Sequence, residues 1–184
     1  MTEIQNTTAI QRLHWGCGRE TPAGWINSDI RQHEGVDLVC DILEGLPLSD
    51  QCIDYIVSQH VLPELGIYQQ VPALRELRRV LKSGGVLRLS LPDLDRVITA
   101  YQRGDRDYFL IWDWDTVAGN FITQILWYNT IRTPFTYGFA EELLHKAGFV
   151  GVRRVSFGET TSCYPEIVEL DNREAESFYV EAYA

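Results

Sequence analysis

Gly16-Cys17-Gly18, Asp29, Asp41 and Gln59-His60 are the residues of this 184-residue chain whose types and spacing could do chemistry together. A Gly-Cys-Gly turn lets a ligand approach the backbone closely, because neither glycine carries a Cβ. A carboxylate accepts hydrogen bonds and donates none, so Asp29 suits the two hydroxyls of a ribose. Asp41 suits the amino group of an adenine, with the apolar Ile42 and Leu43 over the ring. His60 brings an imidazole whose ordinary pKa lies near working pH, which suits proton transfer. Asp29 and Asp41 also serve, each taken alone, as ordinary turn residues. Jointly the set fits a ligand with ribose and adenine but no phosphate. A dinucleotide fits poorly. Its fingerprint G-x-G-x-x-G needs a third glycine where Thr21 stands, and its acidic residue comes about 20 positions on, far beyond Asp29.

Such residues need strands that end at a common rim. Residues 11–15 read as a short strand ending at the glycine turn. "GWINSDI" (24–30), "VDLVCDI" (36–42) and "CIDYIVS" (52–58) read as three more, apolar on both faces as in a covered parallel sheet. Val71, Leu74, Leu77, Val80 and Leu81 recur at helical spacing. Ser83-Gly84-Gly85 is the expected helix stop, and 86–93 the fifth strand, with Asp93 at its end as another candidate base. Nine aromatic residues crowd into 108–137, where Leu110, Trp114, Val117, Phe121, Ile125 and Tyr128 step by three or four and predict one mostly buried helix. "TYGFAEELLHKAGF" predicts a helix ending at Gly148, and 150–158 and 176–184 two antiparallel closing strands around a long excursion. Alternating strands and helices predict a single α/β domain over 1–184, with ligands bound beyond the carboxyl ends of a mainly parallel sheet. Segment 108–137 then overhangs the site, or serves as a core or dimerisation helix. Tyr128 and Tyr137 are its candidate acceptor contacts, and Arg132 an anchor for an acidic acceptor.

The net charge of −10 argues against a passive electrostatic grip on nucleic acid. The carboxylates after Gly158 face only Arg173 and read as a solvated acidic surface. Cys17, Cys40, Cys52 and Cys163 are too dispersed for a zinc site or a disulfide framework, and their apolar neighbours suggest small buried hydrophobes. No apolar run approaches the ~20 residues of a membrane span, and "MTEIQNTTAIQRL" lacks a signal pattern, so a soluble cytoplasmic protein is expected. The absence of G-x-S-x-G removes the hydrolases built on that elbow.

From Leu13 to about Arg103 the sequence resembles a class I S-adenosylmethionine-dependent methyltransferase of the small methyltransferase type 11 kind. "LHWGCG" is similar to that family's LDLGCG or LNLGCG strand, and "GWINSDI" to its second strand. "DLVCDILEGLPLSDQCIDYIVSQHVL" and "ALRELRRVLKSGGVLRLSLPDLDRV" resemble the segments that follow. The resemblance implies a Rossmann-like seven-stranded mainly parallel sheet with helices on both faces and the last strands partly antiparallel. It implies S-adenosylmethionine as cofactor and in-line methyl transfer to a small-molecule or saccharide-type acceptor, and the dispersed cysteines leave no metal expected. Gly16 and Gly18 are then beside the methionine portion, Asp29 at the ribose, and Asp41 with Ile42 at the adenine. Gln59 lies at the fourth strand end and His60 near the methyl-transfer face. The chain departs from the pattern at His14, where Asp or Asn is usual, and in "HVLPEL", where Pro63 and Glu64 replace Glu and His. These departures keep a second reading open, that of a catalytically silent methyltransferase-fold subunit that binds a partner. A homodimer is a further possibility.

Overall fold

A computed structural model describes residues 10–184. The first nine residues, and with them most of the stretch read for a signal pattern and the start of the 1–184 span, lie outside the described residues. Seven strands form one sheet: β1 (Arg12–Trp15), β2 (Ile26–Asp29), β3 (Leu38–Val39), β4 (Ile53–Gln59), β5 (Leu81–Pro92), β6 (Val150–Val155) and β7 (Ser177–Tyr183). Their order is β3-β2-β1-β4-β5-β7-β6. The first five run parallel, and β7 lies antiparallel to both β5 and β6. The winding reverses between β1 and β4, so a crevice opens beyond their carboxyl ends. Gly16 follows β1 directly and His60 follows β4.

Side-chain alternation along β4 builds two cores. Ile56 faces Leu74 and Leu77 of α1 (Gln70–Val80), together with Leu143 and Leu144 of a later helix (Tyr137–Ala147). Tyr55 and Val57 point the other way, to Trp25, Val86 and Ile167, under the short 3-10 turn Pro165–Val168. Each such buried aliphatic side chain contributes roughly 1.5–3 kcal/mol.

Helix α1 stops at Val80, before the Ser83-Gly84-Gly85 expected to end it. Leu81 is already extended and donates its amide to Leu77 O. Gln51 N and Cys52 N, on the way into β4, take the Arg79 and Val80 carbonyls at 3.0 and 2.9 Å. The last turn is thus capped by the chain entering the neighbouring strand.

The aromatic segment differs from the single buried helix expected of it. After α2 (Leu94–Arg103) the chain runs irregularly to Thr116, whose hydroxyl accepts from Gly119 N and starts α3 (Val117–Leu126). The buried residues of α3 are Asn120 and Gln124, whose side-chain oxygens accept from Trp114 N and Leu110 N at 3.2 and 2.9 Å. A non-helical segment must satisfy its backbone somewhere, and here the helix turns its amide side chains inward to do so. Phe109 and Ile111 point into the core, whereas Leu110, Trp112, Trp114, Ile122 and Leu126 stay exposed. The helix Tyr137–Ala147, now α4, ends at Gly148 (φ +98°), as its sequence suggests.

The acidic C-terminal stretch is not uniformly solvated. Arg88 on β5 and Glu181 on β7 are cross-strand partners, both fully buried and joined at 2.8 Å. Arg88 also pairs with Asp171 at 2.5 Å, and Asp171 accepts from Gly158 N. Removing one member of such a cluster costs about 3–5 kcal/mol, because it strands a buried charge. The excursion between β6 and β7 is therefore pinned to the sheet. Cys163 is exposed rather than buried, and all four cysteines are free. Among the described residues no helix is long and apolar enough to cross a membrane.

Candidate functional site

Gly16 and Gly18 adopt φ of +71° and +56°, which glycine tolerates without a Cβ penalty. The turn folds back on β2. Gly16 N and Cys17 N both donate to Ser28 O, at 2.8 and 2.9 Å, and Gly18 N donates to Asp29 Oδ2 at 2.8 Å. No helix follows before β2 begins. The three amides of the turn are thus already bonded within the protein, whereas a pyrophosphate site needs free amides at a helix N-terminus. Asp29 Oδ1 accepts from Arg31 N at 2.8 Å. Each carboxylate oxygen keeps a further lone-pair direction for a ligand hydroxyl.

These residues wall a cavity of about 770 Å³ that gathers Gly16, Gly18, Asp29, Asp41, Ile42, Gln59 and His60. Its size lies within the roughly 300–1,000 Å³ of small-molecule sites. Asp41 Oδ1 accepts from Leu43 N at 2.9 Å, and Ile42 is buried beside it. Gln59 Oε1 accepts from Asn172 Nδ2 at 2.6 Å, leaving Gln59 Nε2 buried without a partner. His14 Nδ1 is likewise buried and unpaired. Burial pushes the His14 ring down to about 4, so it is neutral at physiological pH. Gln59 and His14 both line the cavity, and a buried polar atom left without a partner calls for one. With the open space at the Gly18 Cβ position, these acceptors and the Gln59 amide donor fit the ribose, the adenine and the polar methionine end of S-adenosylmethionine.

Asp93 does not join the site. It caps α2, accepting from Asp95 N and Arg96 N, and pairs with Arg154 at 2.8 Å. A carboxylate so engaged, and lining neither this cavity nor the one beside it, is no base for the site.

A second cavity, of about 110 Å³, adjoins the first, and His60, Glu64, Thr130 and Arg173 line both. His60 sits at φ +56°, a strained conformation for a residue with a Cβ, and its Nε2 lies 2.7 Å from Ser177 Oγ. Burial, with Arg173 adding to it, pushes the His60 ring down to about 3. The ring is a weak proton acceptor at neutral pH, contrary to the near-neutral value expected of it. Segment 108–137 does reach this cavity, through Gln124, Ile125, Trp127, Thr130 and Ile131. Tyr128 and Tyr137 line neither cavity. Tyr128 is 58% exposed and bonds Asp113, and the Tyr137 hydroxyl bonds Glu141. Arg132 lines the larger cavity, as does His33. Asn172, Arg173 and Glu176 arrive from the excursion before β7, a contribution that sequence reasoning missed. Asp171-Asn172 signals a turn, but no local spacing shows that it returns to β4.

Residues 13–89 match the family model described as a methyltransferase domain. Among curated proteins, none matches the chain in sequence. Similar solved structures include an S-adenosylmethionine-dependent methyltransferase from Thermotoga maritima, described as a possible histamine N-methyltransferase. It is 18% identical, with a TM-score of 0.62 over 97% of this chain and 84% of that one. A methyltransferase from Archaeoglobus fulgidus is 15% identical, with a TM-score of 0.61 over 96% and 87%. A methyltransferase of Haloferax volcanii, in complex with the Trm112 methyltransferase activator, gives 12% and 0.54 over 95% and 82%. The glycine turn, the β2 carboxylate and the β4 end thus lie within a matched methyltransferase segment, and the chain has the Rossmann-like fold of the class I S-adenosylmethionine-dependent methyltransferases.

Proposed function

We propose that the chain is an S-adenosylmethionine-dependent methyltransferase acting on a small-molecule or saccharide-type acceptor. The observation that carries this reading is the shared wall of His60, Glu64, Thr130 and Arg173 between the two cavities. One compartment has the size and donor set for a nucleoside ligand, and the other is smaller and largely apolar. Two reactants held in them meet only at that wall.

The bound cofactor supplies an electrophilic methyl group on a sulfonium. Asp29 would accept from the ribose hydroxyls and Asp41 from the adenine amino group, while Ile42 would pack on the ring. Gly18 leaves room for the methionine portion. Gln59 Nε2 offers it a donor, and His14 Nδ1 offers a lone pair when the ring donates to the Glu20 backbone. His60, fixed by Ser177 at a strained backbone position, shapes the passage without carrying charge. Holding an acceptor in line with the methyl carbon is worth up to about 7–11 kcal/mol, so alignment is the main task of this wall.

The rival reading, a catalytically silent subunit that binds a partner or a second copy, draws on the exposed apolar surface of Leu110, Trp112, Trp114, Ile122 and Leu126. Partner binding alone, not silence, has a parallel in the Haloferax volcanii complex of a methyltransferase with its activator. Incubation with methyl-labelled S-adenosylmethionine and pooled small-molecule fractions separates the two. Label in a small-molecule product supports the enzyme, whereas cofactor binding without transfer to any fraction supports the silent subunit.

A further inference from the structure

The geometry points to a compact, apolar-bodied amine as the methyl acceptor, held in the smaller cavity by Glu64, which takes its proton. This inference rests on the methyltransferase reading and narrows it to one class of acceptor.

The charged and ionisable side chains lining the smaller cavity are Glu64, Glu176, Arg173 and His60. Arg173 pairs with Glu176 at 3.0 Å and packs over the Trp127 ring, so those two charges offset each other. His60 is held neutral. Two carboxylates against one guanidinium leave one negative charge of this lining without a direct ion-pair partner, on Glu64, with Arg31 acting on it from the larger cavity. Its carboxylate has no hydrogen-bond or ion-pair partner among the described residues, although it lies at the junction of both cavities. Much of the remaining lining is apolar: Leu94, Val97, Ile125, Trp127, Ile131 and Phe135. One negative point at the mouth of an apolar compartment selects an organic cation and repels an acid.

The segment that carries Glu64 is held from several sides. Arg132 N and Thr133 N donate to Pro63 O at 2.9 and 3.0 Å, and Thr133 Oγ1 donates to Leu65 O at 2.7 Å. The buried Gln70 side chain donates to Leu62 O and Leu65 O. Pro63, one of the two departures in "HVLPEL", is the second residue of the 3-10 turn Leu62–Glu64. The carboxylate is presented by a clamped turn, not by a mobile loop.

Of the four side chains shared by the cavities, Glu64 alone carries a carboxylate that can accept a proton. Arg173 is already a cation, Thr130 donates its hydroxyl to Trp127 O, and the neutral His60 is too weak a base. Asp29 and Arg31 act electrostatically on Glu64, His60, Arg173 and Glu176 line the smaller cavity with it, and Arg132 lines the larger. Glu64 is exposed at the cavity mouth, and the partial desolvation of its carboxyl raises its pKa, opposed by Arg31 and aided by Asp29, which strengthens it as a base. The step balances as follows. The bound ammonium gives one proton to the Glu64 carboxylate and becomes a neutral amine. Its nitrogen lone pair forms the N–C bond while the C–S bond breaks, and the bonding pair stays on sulfur. The N-methyl ammonium product departs, and Glu64 returns its proton to solvent.

The test is calorimetry on the protein saturated with S-adenosylhomocysteine, titrated with 2-phenylethylamine, 3-phenylpropionate or 2-phenylethanol. The amine is expected to bind at least tenfold more tightly than the acid or the alcohol. Glu64→Gln, also saturated, is expected to lose about tenfold in amine affinity and to bind the alcohol as before. Equal or tighter binding of the acid, no binding of any probe, or unchanged amine affinity in Glu64→Gln overturns the amine assignment and leaves the methyltransferase reading standing. Failure of S-adenosylhomocysteine itself to bind removes both.

Discussion

Asp29 Oδ2 accepts the Gly18 amide at 2.8 Å, so the β2 carboxylate holds the glycine turn as well as facing the cavity. Its other oxygen holds Arg31 N at 2.8 Å. Asp29→Ala should therefore do two things. Loss of charged hydrogen bonds to a ribose, each worth about 1.5–3 kcal/mol, should weaken S-adenosylhomocysteine binding roughly 10- to 100-fold. The two amides left without an acceptor should lower stability by about 1–2 kcal/mol, more than a solvated strand-end carboxylate would. Calorimetry and urea unfolding read the two effects separately. Unchanged affinity in a folded variant would sink the ribose assignment.

Gly16 and Gly18 share a left-handed backbone but differ in what surrounds them. A Cβ on Gly16 would lie 2.2 Å from Val61 Cγ2, whereas one on Gly18 would meet nothing within 4 Å. Left-handed strain costs about 1–2 kcal/mol at either position, and overpacking adds about 1–3 kcal/mol at Gly16 alone. Gly16→Ala should lose clearly more stability than Gly18→Ala, and Val61→Ala should recover part of the difference. Equal losses would show that the Val61 contact is not tight.

Acid sensitivity should follow from His14 and His60, whose rings are held neutral down to about 4 and about 3. In the unfolded chain both protonate near the ordinary value of about 6.5. Below that pH the unfolded state binds more protons than the folded state, so stability falls as pH drops toward 4 and is unaffected by these rings above neutrality. A buried histidine contributes a slope of up to about 1.4 kcal/mol per pH unit. Chemical denaturation from pH 7 to 4.5 should be less steep in His14→Asn than in the parent chain. An identical slope would mean that His14 takes up its proton in the folded state.

Acceptor recognition should depend on Trp127 and not on its neighbour. Trp127 lines the smaller cavity, while Tyr128 is exposed and bonded to Asp113. Trp127→Ala should weaken the acceptor that takes up label by about tenfold, near 1.4 kcal/mol, and Tyr128→Ala by less than twofold. The reverse order would return the acceptor to the outer face of α3.

Much of the frame could be read before any coordinate. β1, β2 and β4 come from local apolar runs with turn residues at their ends, and Gly16 and Gly18 mark the turn after β1. What escaped was tertiary. The inward amides of the turn depend on Ser28 and Asp29, on the neighbouring strand β2. The helical spacing in 108–137 hid an extended alternation, Phe109 and Ile111 inward against Leu110 and Trp112 outward. Arg88 left a usable signal. A lone charge inside the apolar "VLRLSL", and Glu181 inside "FYVEAYA", mark two buried charges in register on neighbouring strands. Nothing local showed that Arg173 would come back to His60, or that His60 would be held neutral.

Titration of the purified protein with S-adenosylhomocysteine tests the central claim most directly, that the cavity beyond β1 and β4 takes a phosphate-free adenosyl ligand. Because the amides of the glycine turn are committed to Ser28 and Asp29, saturable one-to-one binding with a raised melting temperature is expected, and NAD should not displace it. No heat and no thermal shift at millimolar S-adenosylhomocysteine, in protein shown to be folded, would contradict it.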